Sequence, residues 1–544
     1  MMRKIYLAII LITMCGVAVM AQSTGSIQGK IVDKATGEAL PFASIIAELN
    51  GNQAGGAQTD IDGKFTIKPL TPGTYNIKAT FVGYGAAQVE GVIVSADKIT
   101  FQDIKLTSGA VKIDEVEITT FKIPLIDKGN PSTQKTITSE EIAAAPTRDI
   151  KTLAASTAGV TQKDEGDAFN VRGARSGATD YYVDGVKVRG SLNLPQSSLE
   201  QITVVTGGVP AQYGDNTGGL INVTTKGPSK EFAGGLEYVT SELFDHYGYN
   251  LGSGNLSGPI YSKRDQEGKK RTIAGFFVAG EYQYEKDPDP AGIDLYQVKS
   301  DKYKEITEHP LVRDSTGTGY NLAASYLRMS DLEKIKYKPN TAASSYRFDG
   351  KITVSPIEKL DVTLGGNYSR GDRNPFNWNF ELLNSINNGK EIETNWNAFG
   401  RITQRFGSES SNKEKSASVI KNVYYSLQFD ISRHFKTTES SLHEDRLFDY
   451  GYIGKFTQLY DPHVFLSDSI YSINSGDTSY FYEQDGLRTR KYLFEPGNVN
   501  PLQEYYTKAF YDDLDSISSF FDPRVSSTYF LINGFRPPIT YGIW

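Results

Sequence analysis

From about Ser229 onward, apolar and polar residues alternate with a period of two. In Tyr346 to Val354 one parity reads Tyr346, Phe348, Gly350, Ile352, Val354 and the other Arg347, Asp349, Lys351, Thr353. Leu360 to Ser369 and Val423 to Ser432 repeat the pattern. A period of two sends successive side chains to opposite faces of a strand. Each run therefore predicts a strand of about 9 to 10 residues with one apolar and one polar face, the length and patterning of a membrane-crossing strand. Alternation alone does not decide, because a soluble sandwich alternates too. The connections separate the two: a brief turn at Ser355 to Lys359 contrasts with long polar stretches such as Asp287 to Pro339 and Lys436 to Asp449. Brief turns at one end and long loops at the other are expected of a membrane β-barrel.

Before the barrel segment the period changes. From Gly25 to Thr107 short β runs (Ile27 to Asp33, Ala43 to Ala47, Lys64 to Ile67) alternate with Thr36-Gly37, Asp62-Gly63 and Pro72-Gly73, dipeptides that favour tight turns. The spacing predicts a small β-sandwich over residues 25–107. Gly29 to Asp33, Gly37 to Pro41, Thr59 to Phe65 and Phe81 to Tyr84 resemble the carboxypeptidase-regulatory-like domain along almost the whole segment. Despite that name the segment has no zinc-ligand spacing and no candidate nucleophile, so a spacer or docking role is expected. Asp60 and Asp62 read as hairpin-turn residues, since a calcium site needs about 6 to 8 oxygens.

The most specific pattern lies between Thr138 and Gly227. Ser139-Glu140-Glu141-Ile142 reads as a Ser-capped short helix. It is followed by Phe169 to Gly173 (with Val171, Arg172, Gly173), Tyr182 to Val186 (with Val183, Asp184, Gly185), Leu199 to Gly208, Ala211 to Gly214 (with Tyr213, Gly214), and Gly218-Gly219 to Lys226. In this order and spacing they resemble the plug domain of TonB-dependent receptors, assigned to residues 138–227. Thr206-Gly207-Gly208 departs from the family's pattern, in which an Arg often precedes the Gly. Arg172 and Asp184 each precede a Gly at a strand end, where a charge can face a barrel wall through wetted ion pairs worth about 0 to 1 kcal/mol each. For both, maintenance of the plug fold stands ahead of direct contact with a substrate. No Walker-type Lys-Ser or Lys-Thr follows Gly214 to Gly219, which excludes a phosphate loop.

The resemblance makes the linker, residues 108–137, the place for a TonB box, and Asp114, Glu115, Val116, Glu117, Ile118, Thr119 and Thr120 look like one. An extended segment can add to a partner's sheet edge. The same run could equally be a strand that completes the preceding sandwich. Composition agrees with an exported, mainly β protein: Tyr 33, Phe 27 and Gly 52 against Met 5 and Cys 1. Met1 to Ala21 reads as a secretory signal peptide that carries the single cysteine, Cys15. The net charge of -7 is spread along the chain, which excludes a nucleic-acid footprint.

The expected architecture is thus mainly β: signal peptide (1–21), sandwich, linker, α+β plug, then an outer-membrane antiparallel β-barrel from 229 to 544. Family barrels close about 22 strands, and the roughly 310 residues after the plug supply about half that number. An incomplete barrel, and hence a fragment of a longer protein, is expected; aromatic Trp544 suits a barrel terminus, but nothing before it reads as a closing strand. The resemblance implies active import of an oligosaccharide, peptide or metal chelate across the outer membrane. Its implied partners are the TonB energy-coupling complex and, in some members, a surface substrate-binding lipoprotein. The alternative is an exported adhesion or scaffolding protein that keeps the plug without transport. No catalytic residue, metal site or cofactor is expected, because His246, His309, His434, His443 and His463 are scattered without ligand spacing.

Overall fold

The computed structural model describes residues 24–108, 116–121, 132–188, 192–214, 216–264, 270–313, 320–357, 359–406, 423–472 and 475–518. The signal segment with Cys15, Asp114 and Glu115 of the candidate box, and Trp544 lie outside the described residues.

The front segment forms β1 (Gly25–Asp33), β2 (Ser44–Leu49), β3 (Asn52–Gln58), β4 (Lys64–Leu70), β5 (Gly73–Thr80), β6 (Ala86–Val94), β7 (Ile99–Phe101) and β8 (Ile104–Leu106). One sheet runs β4-β1-β7 with β8 also on β1, and the other runs β3-β2-β5-β6. Alternate residues of facing strands, among them Ile27, Ile31, Ile45, Phe65, Tyr75 and Ile77, close one apolar core between the sheets. Asp60 belongs to its own hairpin: its Oδ1 accepts the backbone N–H groups of Asp62 (2.9 Å) and Lys64 (2.8 Å). A ninth strand, β9 (Val116–Thr120), lies parallel beside β6 and extends the second sheet. The candidate coupling segment therefore finishes the sandwich rather than standing apart as a linker.

The plug contains β10 (Thr133–Thr138), β11 (Val160–Gln162), β12 (Phe169–Val171), β13 (Asp180–Val183), β14 (Val186–Val188), β15 (Leu199–Gly207) and β16 (Leu220–Thr225), with helices α1 (Ser139–Ala144) and α2 (Ile150–Ala155). Its main sheet has the order β10-β15-β16-β13-β14. β15 and β16 are buried on both faces, and Ile202, Val204, Ile221 and Val223 join the helices' Ile142, Ile150 and Leu153 in its core. The α1 cap lies one residue earlier than expected. Thr138 accepts from the Glu141 N–H while the Glu141 side chain accepts from the Thr138 N–H, a reciprocal box that puts Ser139 in the first turn.

The wall begins with β17 (Ala233–Thr240), β18 (Asn250–Arg264) and β19 (Lys270–Glu285). The stretch Asp287 to Pro339 is not a plain loop. It holds β20 (Leu295–Val298), α3 (Ser300–Glu308), β21 (Leu311–Arg313), β22 (Tyr320–Leu322) and β23 (Leu332–Ile335), with β20 paired to β23 and β21 to β22. The wall resumes with β24 (Ala343–Ile357), β25 (Leu360–Arg373), β26 (Lys390–Phe406) and β27 (Val423–Glu439), giving the antiparallel order β17-β18-β19-β24-β25-β26-β27.

The expected parity holds. Phe348, Ile352, Leu364, Leu427 and Phe429 are exposed on the outer face, whereas Asp349, Lys351, Ser369, Asn397 and Thr403 are buried on the inner one. The strands are longer than expected, at 15, 14, 17 and 17 residues for β24 to β27. At about 3.3 Å per residue such ladders outrun a hydrocarbon layer of about 30 Å even when tilted, so hydrogen bonding continues past the apolar band. Lys436, expected to open a loop, is accordingly still in β27.

Among the described residues the seven-stranded sheet does not close on itself. β28 (Gly454–Tyr471) and β29 (Thr478–Pro496) form a separate hairpin, and residues 501–518 are helical, α4 (Pro501–Ser518), where barrel strand was expected. At the end of the wall away from the sandwich, Val298 and Ile306 of the 287–339 stretch, Leu383 of the β25–β26 connection and Tyr506 of α4 share a small apolar core. The long connections thus fold into a lobe.

Candidate functional site

The two Gly-preceding charges occupy equivalent turns. Arg172 and Asp184 have φ 48° and 49°, and Gly173 and Gly185 follow at 78° and 84°. Two consecutive positive-φ residues make a type I′ turn, which matches the twist of paired strands; Gly adopts it freely and Asp tolerates it. In the second turn Val183 pairs with Val186 across Asp184-Gly185.

Their side chains then diverge. The Asp184 carboxylate is tied inside the plug by the Thr225 N–H (3.1 Å) and the Thr225 hydroxyl (2.6 Å). It is tied to the wall by Lys351 of β24, whose Nζ lies 3.1 Å from Oδ1 and also donates to the Thr225 carbonyl at 2.9 Å. Arg401 of β26 donates to the Asp184 carbonyl and is itself oriented by Gln428 of β27, with Nε 3.0 Å from Oε1. Side-chain exposures of 9% for Lys351 and 4% for Asp184 make this a desolvated clasp, not the wetted, weak pair expected. The attraction between its charges has to offset their loss of water, which it does best where hydrogen bonds such as those from Thr225 support the carboxylate.

Arg172 does not reach the wall. Its guanidinium lies over Gly207, where a Cβ would come 2.6 Å from Nη1, and its backbone N–H bonds the Gly159 carbonyl at 2.8 Å. The missing Cβ at Gly207 leaves the space that the Arg172 guanidinium occupies. Gly218 and Gly219 are space-limited as well: a Cβ would meet the Ala178 carbonyl oxygen at 2.7 Å and the Val171 side chain at 2.6 Å. Gly214 (φ 39°) ends the short turn that presents Tyr213.

A second plug–wall contact escaped the sequence reading. Arg148, just before the Asp149 cap of α2, pairs with Glu237 of β17 and lies 3.5 Å from Glu281 of β19, which also binds Arg347 of β24 at 2.5 Å. The only sequence clue is that Glu281 and Arg347 fall on the inner parity of their strands.

The sandwich is joined to the plug by polar contacts. Gln201 Nε2 donates to the Val94 carbonyl (3.1 Å), Ser95 and Thr136 share a hydrogen bond of 2.8 Å, and the Tyr213 hydroxyl donates to Asp97 at 2.6 Å. Glu200 accepts the Thr74 N–H at 3.2 Å in the same joint, and burial raises its carboxyl pKa above the ordinary value, partly offset by that N–H and by Lys226.

On β9, Ile118 stands opposite Gln88 and Thr119 opposite Val89. Glu117 pairs with Lys34 at 2.6 Å, and this hydrogen bond lowers its pKa. Lys122 to Ile126, just beyond, lie outside the described residues. At the lobe end, a cavity of about 200 Å³ opens between Asn193 of the plug and wall residues including Gln283, Arg347, Asp372, Glu391 and Lys436. Among the described residues no cluster of three metal-ligating side chains occurs.

Comparison with known proteins follows the same division. Residues 26–107 match the carboxypeptidase regulatory-like domain and residues 127–220 the TonB-dependent receptor plug domain. A curated relative, the TonB-dependent transporter Oar of Myxococcus xanthus, is 27% identical over 243 residues, 41% of this chain and 22% of its own length. The chain thus spans about a fifth of that relative. Among solved structures, a ferric enterobactin receptor mutant from Pseudomonas aeruginosa is similar at 16% identity and TM-score 0.32, over 51% of this chain and 41% of that one. The siderophore receptor PirA of Pseudomonas aeruginosa is similar at 16% identity and TM-score 0.33, over 57% and 42%. Likeness at these scores carries no functional weight. With a carboxypeptidase-regulatory-like sandwich, a receptor plug and an antiparallel wall of alternating strands in one chain, the protein is similar in its domain order to TonB-dependent receptors.

Proposed function

We propose that this chain acts in TonB-dependent import of a nutrient across the outer membrane, with the plug gating the barrel. The observation that supports it best is the clasp of Asp184 by Lys351 and Arg401, which seats the plug against the polar face of a wall whose other face is apolar. On this reading the sandwich end faces the periplasm and the lobe end faces outward. Substrate binds between lobe and plug, and the energy-coupling complex takes the segment Asp114 to Thr120. A surface lipoprotein that delivers an oligosaccharide, peptide or chelate fits the same arrangement.

For the coupling segment to add to a partner's sheet it has to leave β6. The parallel register makes this testable, because Gln88 and Ile118 are partners across the ladder. A Gln88→Cys, Ile118→Cys pair oxidised to a disulfide should abolish energised uptake, and reduction should restore it. Uptake at full rate with the disulfide formed would remove the segment from the mechanism.

A further inference from the structure

The main sheet of the plug is buried on both faces, yet the two faces differ in chemistry. Ile137, Ile202, Val204, Ile221 and Val223 point into the plug core with the helices. The opposite parity of the same three strands reads Thr136 on β10, Gln201 and Thr203 on β15, and Asn222 and Thr224 on β16. Thr203 stands across from both Thr136 and Asn222, and Gln201 across from Thr224, so these residues share one face. Gln201, Thr203, Asn222 and Thr224 are 2%, 2%, 3% and 4% exposed. A register shift between Leu199 and Gln201 turns Glu200 to that side as well.

The sandwich covers this face, and it does so through hydrogen bonds. Gln201, Thr136, Tyr213 and Glu200 bond to Val94, Ser95, Asp97 and Thr74 respectively. The apolar residues on that side, Tyr182, Val205 and Leu220, cluster with Tyr213 of the plug itself. Among the described residues no apolar cluster draws members from both domains.

A face that stays covered in every state gains from being apolar, because buried polar groups give up their water for bonds of small net worth. A polar covered face suits a surface that meets water part of the time. When such a joint opens, each of its bonds is exchanged for one with water and no apolar core is bared. Joints of this kind between domains of one chain behave as transient interfaces.

We infer that the sandwich is a detachable cap, which leaves the polar face of the plug as a folded unit while both cores stay closed. The inference goes beyond the import reading, since detachment needs no cargo.

Three single-thiol variants of the whole chain, purified in detergent and carrying Cys15→Ser, test it by their rates of reaction with iodoacetamide. Thr203→Cys lies on the covered polar face, Val204→Cys beside it on the core face, and Val92→Cys in the sandwich core; Val204 and Val92 are both 0% exposed. Under native conditions the thiol at 203 should react about tenfold or more faster than the other two, because joint opening bares it and neither core has to open. Ser95→Ala, which removes the bond to Thr136, should speed the reaction at 203 severalfold and leave the other two unchanged. Equal rates at 203 and 204 would mean that only unfolding of the plug exposes this face, and would overturn the cap. A rate at 92 that matches the rate at 203 would overturn detachment as a unit, since the sandwich would then be melting. No response at 203 to Ser95→Ala would show that this joint does not control access, and would overturn the inference too.

Discussion

Removing the Lys351 ammonium should loosen the plug. Lys351 and Asp184 have side-chain exposures of 9% and 4%, so the surviving carboxylate in Lys351→Met would be nearly cut off from water. Asp349, itself 5% exposed on the same face, would add a second acid without the cation that now stands near both. Breaking one partner of a buried pair costs about 3–5 kcal/mol. At about 1.4 kcal/mol per decade, that is roughly two to four orders of magnitude in the local opening equilibrium. The Thr225 N–H, which bonds Asp184 at 3.1 Å, is the natural reporter. Hydrogen exchange of the intact receptor should show its protection falling by that factor, while amides in the sandwich core around Tyr75 keep theirs. Adding Asp184→Asn to Lys351→Met should recover a large part of the loss, because the stranded charge goes with it. Wild-type protection at Thr225 in Lys351→Met would refute the claim that this pair holds the plug.

Three further outcomes follow from the same geometry. Because burial raises the Glu200 carboxyl, its protonated form is the one the sandwich–plug joint favours. Its contribution is complete below the ordinary carboxylate range and is lost as pH rises through the raised value, so corrected exchange at the Thr74 N–H should quicken with pH and Glu200→Gln should flatten that dependence. Gly219→Ala pushes a methyl to 2.6 Å from Val171 and should cost the plug about 1–3 kcal/mol, measured as earlier proteolysis in a urea series; an unchanged midpoint would contradict the packing. Gly207→Ala meets only the mobile end of Arg172 and should cost less than Gly219→Ala in that series.

Local rules made much of this protein readable. Strand parity from Tyr346 to Val354 placed Lys351 and Asp349 on the inner face, because a period of two assigns faces without knowledge of any neighbour. Asp184-Gly185 announced a sharp turn because few residue pairs accept two positive φ values in succession. What no local rule supplies is the partner. Asp184 finds Lys351 and Arg401 at separations of 167 and 217 residues, and that choice depends on how the plug seats against the wall. Arg172 carries the same local turn yet folds back over Gly207, since its position faces plug instead of wall. The run Val116 to Thr120 was equally a linker strand or a free segment, and only the vacant edge of β6 made it the fifth strand of that sheet. The polar stretches at the lobe end concealed α3, α4 and a shared core for the same reason. Leu383 and Tyr506 sit next to Leu382 and Tyr505, which stay exposed, so which residue of each pair joins the core is decided only when the wall brings distant connections together.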